Sequence, residues 1–452
     1  VPSAAIFELQ GLSKEIHGWL QKEPLSQEAL GGLARGQGVD PELFEETLSE
    51  MESLDVIFSG TPKKSFPSLP KADQEFPLQR IVLNTTNQCN LACGYCYEYS
   101  DDKIAKTTGK PKYMTHEIAH ASVDTLFKEA SWRPTVHVTF FGGETLLNFP
   151  VMKSTVEYAN RKGKELGKKV EYSLTTNATL LTEEIVDFLA ENRFGVTVSM
   201  DGDRELHDKM RIFHNGKGSY DVIVPKIKML LERHKTNSIG ARVTLSNGTG
   251  HVRRIYDHLT KEIGFKGVGF SPATANPDRL YHIGNTQMES MLDQFADLAY
   301  EYRDFAVKGG QHYFTNAGDT IKELHQGISK AYTCGAGLGM LGVGTAGDVA
   351  ICHRFVDAGV GQMGNVVDGG VDHGARRDFL ESHNIGSRPD CHTCWVRPVC
   401  AGGCYHEAFI HHGATDASSL HQCDHVRGWI DTCLQIYGEI VVQNPKFLER
   451  YD

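Results

Sequence analysis

The sequence lacks any uninterrupted apolar run of the ~18 residues that a membrane-crossing helix needs, so no transmembrane helix is expected. It lacks an excess of positive charge. Its 46 Lys and Arg stand against 57 Asp and Glu, for a net charge of −11. That balance argues against a general nucleic-acid binder or a binder of anionic membranes. The opening residues VPSAAIFELQ lack a basic stretch followed by a long apolar one, so no signal peptide is read there. Cysteine is missing where a disulfide scaffold would need it. Of eleven cysteines, three lie between residues 89 and 96, eight lie between 334 and 433, and none falls between the groups. Two tight groups in a long globular chain indicate metal ligation in a reducing compartment, and a cytoplasmic location is expected.

At 452 residues the chain is too long for one ordinary core, so two or three domains are expected. Residues 1–58 read as a winged-helix-like module. Short strands are expected at AAIFEL and LDVIF. Between them lie three helices, the second capped by Ser26 and the third opened by Asp40 and Pro41. Residues 59–79 hold Pro62, Pro67, Pro70 and Pro77 and read as a linker. From residue 80 to 310, six apolar runs alternate with amphipathic stretches. They begin near residues 80, 135, 170, 195, 239 and 266. In LTEEIVDFLAEN, Thr182 is the expected cap and Ile185, Phe188 and Leu189 the buried face. The expected fold class is α/β, a partial (βα)6 TIM-like barrel, with chemistry at the C-terminal strand ends. Residues 311–452 are expected to form a further domain; from 334 to 433 it is rich in Gly and Cys, a composition that cannot build much apolar core, so it is expected to depend on metal to fold.

The first expected strand runs into NTTNQCNLACGYCYEYS, residues 84–100, with Cys89, Cys93 and Cys96 spaced C-x3-C-x2-C. Three thiolates leave one iron of a 4Fe–4S cluster open, and an amino and carboxylate pair can chelate it. This loop resembles that of the radical S-adenosylmethionine (SAM) enzymes. Tyr95 matches their aromatic position near the adenine. Gly142, Gly143 and Glu144 in FFGGETLL match the family's GGE motif. The resemblance implies that the glycines let the backbone approach the methionine and that Glu144 accepts from its ammonium. Ser173, Thr175 and Asn177 on the third strand are expected to face the ribose and carboxylate. In VSMDGDRELHDKMR, Ser199, Asp201 and Arg211 resemble the family's S-x-D-G segment with its downstream arginine. Asp201 is expected to bind substrate or act as a general base, and Arg211 to clamp a carboxylate. The implied chemistry is reductive cleavage of SAM to methionine and a 5′-deoxyadenosyl radical, which abstracts a substrate hydrogen. A flavodoxin- or ferredoxin-type electron donor is implied with it.

The second group resembles the SPASM domain, which holds auxiliary iron–sulfur clusters in radical enzymes that modify peptides. That resemblance assigns Cys391, Cys394, Cys400 and Cys423 to one auxiliary cluster and Cys334, Cys352 and Cys404 to the other. Three 4Fe–4S clusters are therefore expected. No cysteine shortly precedes Cys334, so the second auxiliary cluster is expected to keep an open iron for a substrate thiolate. Cys433 is read as a buried structural thiol, and His353 as a residue able to ligate. Zinc is the alternative, since C-x2-C pairs also make zinc knuckles. An open auxiliary iron fits the thioether-forming peptide maturases, which join cysteine sulfur to the side-chain methylene of Asp or Glu in a small dehydrogenase subunit. The N-terminal module is then expected to bind the precursor peptide. Other products of the same machinery are a carbon–carbon cross-link, an epimerised residue or formylglycine. Formylglycine-forming relatives carry Asp directly after the cysteine matching Cys352, and this chain has His353.

Overall fold

The computed structural model describes residues 9–54, 56–57, 77–418 and 420–452. The first expected N-terminal strand falls almost entirely outside these residues, as does most of the linker; of the second, Leu54, Val56 and Ile57 are described and form a turn and a bend and not a strand. The three N-terminal helices are Gly11–Leu20, Gln27–Gly36 and Pro41–Ser53. Ser26 accepts from the Ala29 amide and Asp40 from those of Glu42 and Leu43, so both caps satisfy donors that the first turn leaves free. Ile16, Leu30, Phe44, Leu48 and Met51 close a small core that belongs to these helices alone.

The rest of the described chain is built on one ten-stranded sheet. Its strands are β1 (Arg80–Asn84), β2 (Thr135–Phe141), β3 (Lys169–Thr176), β4 (Gly195–Ser199) and β5 (Ile239–Leu245), then β6 (Val268–Pro272), β7 (Met340–Val343), β8 (Asp348–Ala350), β9 (Gln362–Asn365) and β10 (Gly370–Val371). The order is β10-β9-β8-β7-β1-β2-β3-β4-β5-β6. From β1 to β6 every neighbouring pair is parallel and in chain order. Parallel neighbours need long crossovers, and helices supply them. One is Glu183–Glu191, where Thr182 accepts from the Ile185 amide as the sequence predicts.

The cysteine-rich segment joins this sheet instead of forming a separate body. β7 pairs parallel with β1 on the side opposite β2. β8, β9 and β10 then extend the sheet antiparallel. Leu341, Val343, Ile351, Phe355 and Phe379 belong to the same apolar core as β1 to β6. The expectation of little apolar core after residue 334 therefore needs correction for this stretch. Beyond it, residues 385–400 form only short helical pieces. The helix Leu420–Gln443 returns to pack on Asn285–Val307. Among the described residues no helix is long and apolar enough to cross a membrane.

The two faces of the parallel strands differ sharply. Val136, Val138, Phe140, Leu174, Val196, Val198, Val243 and Leu245 are buried. Each such side chain contributes roughly 1.5–3 kcal/mol of transfer free energy. The alternate positions are polar: Thr139, Ser173, Thr175, Thr197, Ser199, Arg242 and Thr244. Register lines them up, with Thr175 opposite Thr197 and Ser199 opposite Arg242. A packed barrel interior is normally apolar. The polar face of these parallel strands is not packed in that way and leaves room for something other than the protein's own side chains.

Candidate functional site

The loop after β1 is fixed on both sides. The Ala92 amide donates to the Ile212 carbonyl at 2.7 Å and the Gly94 amide to Met210 at 3.1 Å. From the other side, Asn177 Nδ2 donates to Asn90 Oδ1 at 3.0 Å and approaches Cys89 Sγ at 3.9 Å. Cys89, Cys93 and Cys96 line a cavity of about 590 Å³, and no fourth cysteine does. Burial pushes Cys89 and Cys96 up to about 12 and raises Cys93 as well. Free thiols in this pocket hold their protons at neutral pH, so ligation is what would keep them as thiolates.

The GGE turn after β2 packs directly on this loop. The Gly143 amide donates to the Thr86 carbonyl at 3.0 Å and the Glu144 amide to Gln88 at 2.9 Å. Gly142 has φ +119°, and a Cβ there would strike the Thr86 carbonyl oxygen. A Cβ on Gly143 would strike the Gln88 carbonyl and the Tyr99 hydroxyl. Both glycines are thus required by close backbone approach. Glu144 is buried. Its carboxylate accepts from Thr176 Oγ1 at 2.7 Å, the Asn177 amide at 2.7 Å and the Leu146 amide at 3.1 Å. It lines the cavity and also ties the ends of β2 and β3 together.

Asp201 and Arg211 meet each other. Arg211 Nε donates to Asp201 Oδ2 at 2.8 Å, and both side chains are buried. The Tyr95 hydroxyl donates to the same oxygen, and Oδ1 accepts from the Thr244 amide at 2.9 Å. The Arg211 guanidinium lies 5.4 Å from the Tyr95 ring centroid. Burial pulls Arg211 down, but Asp201 and its other anionic neighbours hold it above the ordinary arginine value. Arg211 and Tyr95 reach the cavity wall, whereas Asp201 stands behind them. A carboxylate with three donors already on it has little capacity left for a substrate proton. Thr175, Asn177 and Ser199 line the cavity. Ser173 is not among its lining residues and bonds Thr139 Oγ1 at 2.9 Å on the neighbouring strand.

Cys391, Cys394, Cys400 and Cys423 line a second cavity, and Cys404 lines it with them. Cys334 and Cys352 each feel the charge of Cys404, and burial raises both, Cys352 to about 12. Among the described residues no group of three His, Cys, Asp or Glu side chains is placed to hold one metal ion. Cys433 lies on the core side of Leu420–Gln443, fully buried and bonded to Thr320.

Several residues between the two cysteine groups, His353 apart, escaped the sequence reading. The Arg354 guanidinium sits 4.5 Å from the Tyr97 ring centroid. His353 and His406 flank the same ring at 6.4 and 5.5 Å. Tyr97 Oη, Glu98 Oε1, His353 Nδ1 and His406 Nε2 are buried without a hydrogen-bond partner. Four orphaned atoms in one region mark a place that a further polar group completes. Arg242 also faces the cavity. A charged residue inside the apolar strand IGARVTL was the available signal for it.

Residues 83–257 match the family model of the Radical SAM superfamily, and this chain is an enzyme that carries that radical SAM domain. That class uses a 4Fe–4S cluster and SAM. The cavity fits them, with three thiols, no fourth cysteine and polar strand ends around them. The chain is 26% identical over 340 residues to the cysteine-type anaerobic sulfatase-maturating enzyme of Clostridium novyi (strain NT), covering 72% of this chain and 87% of that protein. Two solved structures share the fold. One is native anSMEcpe with bound AdoMet and the Cp18Cys peptide, at TM-score 0.68 and 21% identity, covering 82% of this chain and 99% of that one. The other is Streptococcus suis SuiB bound to precursor peptide SuiA, at TM-score 0.54 and 15% identity, covering 87% and 89%.

Proposed function

We propose that this enzyme is a peptide maturase that joins a cysteine sulfur to the side-chain methylene of an Asp or Glu in a precursor peptide or small subunit. The observation that carries this reading is one polar cavity lined both by Cys89, Cys93 and Cys96 and by His353 and Arg354, which come directly after Cys352. Cys89, Cys93 and Cys96 would hold the SAM-binding 4Fe–4S cluster. Cys334, Cys352 and Cys404 would hold one auxiliary cluster, and Cys391, Cys394, Cys400 and Cys423 the other. The sheet from β1 to β6 is then a partial barrel open toward the SPASM-like segment, and the N-terminal helices are a precursor-binding module of winged-helix type. The motifs resemble those of the maturation enzyme of quinohaemoprotein amine dehydrogenase. Peptides are bound in the similar structures of anSMEcpe and SuiB, which supports a peptide substrate here.

When bound, the reduced cluster and SAM supply the radical that removes a substrate hydrogen. The protein's own residues orient and shield that chemistry. Asn177 and the GGE turn fix the cysteine loop. Thr175 and Ser199 offer hydroxyls at the strand ends for the ribose and carboxylate. Asp201 holds Arg211 and Tyr95 in place, so it is a positioning residue and not a base. Glu144 and Ser173 likewise act mainly through their neighbours. The enzyme is placed in the reducing cytoplasm and takes its electrons from a flavodoxin- or ferredoxin-type donor.

A second reading is oxidation of a peptide cysteine to formylglycine, favoured by the similarity to a sulfatase-maturating enzyme. His353 stands against it, because the Asp that follows the matching cysteine in those relatives is missing. The first test is analytical. Reconstituted protein should contain iron and sulfide for three 4Fe–4S clusters, and a Cys89→Ala, Cys93→Ala, Cys96→Ala variant should lose one cluster's worth together with all 5′-deoxyadenosine formation. Iron for a single cluster in the wild type would overturn the auxiliary assignments.

A further inference from the structure

Three arginines line the cavity, and their bonding differs. Arg211 is ion-paired with Asp201. Arg242 makes one hydrogen bond, from Nη2 to Ser271 Oγ at 2.7 Å. Arg354 bonds only through Nη1, to Thr274 Oγ1 at 3.2 Å and His406 Nδ1 at 3.3 Å. Neither forms an ion pair with any described residue. The carboxylates nearest in charge, Asp319 for Arg242 and Glu407 for Arg354, act on them only through space. A guanidinium carries five N–H donors, so most of the donor capacity of both residues is unspent.

Two like charges facing one cavity favour the arrival of an anion there, although Arg242 is open to the cavity and Arg354 is held above the ordinary arginine value by Cys404, Tyr97, Cys352 and Glu407 against its burial. Burial first, and then the charge of Arg354, pull Arg242 below the ordinary arginine value, which places the two guanidinium groups within each other's field. Arg242 projects from the polar face of β5 opposite Ser199. Arg354 follows Cys352 and covers Tyr97, next to Cys96. Both arginines line one cavity with Cys89, Cys93 and Cys96, and Arg354 also feels the charge of Cys404 and Cys352. Arg211, by contrast, bonds to Cys93 on the cluster loop.

We infer that Arg242 and Arg354 form a carboxylate subsite that recognises an acidic side chain of the peptide substrate and presents its adjacent methylene inside the cavity. This rests on the reading of the cavity as a peptide-modifying site. Arginine suits the task because its planar fork matches a carboxylate in two bonds, which fixes orientation as well as charge. The carbon next to a clamped carboxylate has little freedom left, and that is what a selective hydrogen abstraction needs. The same chemistry would also receive the carboxylate of SAM, so the test must separate the two.

The probes are a fluorescein-labelled peptide with one cysteine and one aspartate, and its asparagine counterpart. Each is titrated by anisotropy against reconstituted holoenzyme with SAM present. The wild type should bind the aspartate peptide at least ~10-fold more tightly, a preference worth about 1.4 kcal/mol. Arg242→Gln should reduce the ratio to near one, and Arg354→Gln should do the same. SAM affinity, read from the change it causes in the reduced cluster's EPR signal, should be unchanged in both. Arg354 adjoins a cluster cysteine, so iron content is measured on each variant, and Arg242→Gln decides the matter if Arg354→Gln loses iron. A wild-type ratio near one overturns the subsite. So does a ratio that survives Arg242→Gln, or a loss of SAM affinity in that variant, which would assign the arginine to the cofactor. Because the readout is binding, a peptide that shows the preference yet emerges without a cross-link defeats the thioether reading and still supports the subsite.

Discussion

At the scale of single residues, the buried ion pair of Asp201 and Arg211 is the sharpest case. Removing one partner of a buried pair strands the other charge and costs about 3–5 kcal/mol, far more than an exposed pair. Asp201→Asn should therefore lower the melting temperature markedly and release Tyr95 from its partner. The double variant Asp201→Asn, Arg211→Met should recover part of the loss, since no bare charge is left. Thermal melts of the four proteins measure this coupling, and strict additivity would contradict it. Glu407 makes a second case. It is buried, and burial lifts its carboxyl to about 7 against the partial relief from Arg354. A raised carboxyl favours the fold while protonated. That stability is full below its unfolded value of about 4.5 and is lost as pH rises through about 7, by roughly 3 kcal/mol. Glu407→Gln should remove this pH dependence and be the more stable protein at pH 8. A variant whose stability follows the same curve as the wild type would refute the assignment.

Elements position these residues, and here the sequence was informative in some places and silent in others. Helix caps at Ser26, Asp40 and Thr182 were legible because they are local and a short polar side chain before an apolar period has one good use. All six parallel strands were legible because β-rich runs alternate with helical ones. The meeting of Asp201 with Arg211 was not, since nothing local says that two polar residues on either side of a short helix turn toward each other and not toward a ligand. Arg242 was visible as a charge in an apolar strand, but its face depends on strand parity and register. The addition of β7 to β1 joins segments more than 250 residues apart, a pairing without any local signature. One element-scale prediction concerns Gly143. Its replacement by Ala would push the GGE turn off the cysteine loop. Gly143→Ala should lower the iron bound at the SAM site while the iron of the C-terminal sites is kept, as read by Mössbauer spectra and iron counts. Full iron with unaltered spectra would show that the loop yields freely.

At the scale of the whole molecule, one continuous sheet carries both cysteine groups. The first lies on the loop after β1, and Cys352 follows β8, two strands away on the other side. Asp102 ties the segment that follows the cysteine loop to residues 276–281. It accepts from the Asn276 side chain at 2.7 Å, Arg279 at 2.8 Å and Tyr281 at 2.8 Å. Burial works against its charged form, but these donors prevail and hold it below the usual carboxylate value. Stability from a lowered carboxyl is present above its unfolded value and is lost as pH falls through the folded one. Asp102→Asn should thus open the 275–281 segment to protease at neutral pH, and an unchanged cleavage pattern would count against the tie. The rigid arrangement matters because the reading depends on two metal-binding groups facing one substrate. The most direct measurement is mass spectrometry of the small subunit of quinohaemoprotein amine dehydrogenase after incubation with reconstituted enzyme, SAM and dithionite. The account predicts the loss of one hydrogen from sulfur and one from carbon per bond formed, with the cysteine no longer open to alkylation and the link mapped to an Asp or Glu. A subunit that turns over SAM yet keeps every cysteine alkylatable would contradict it.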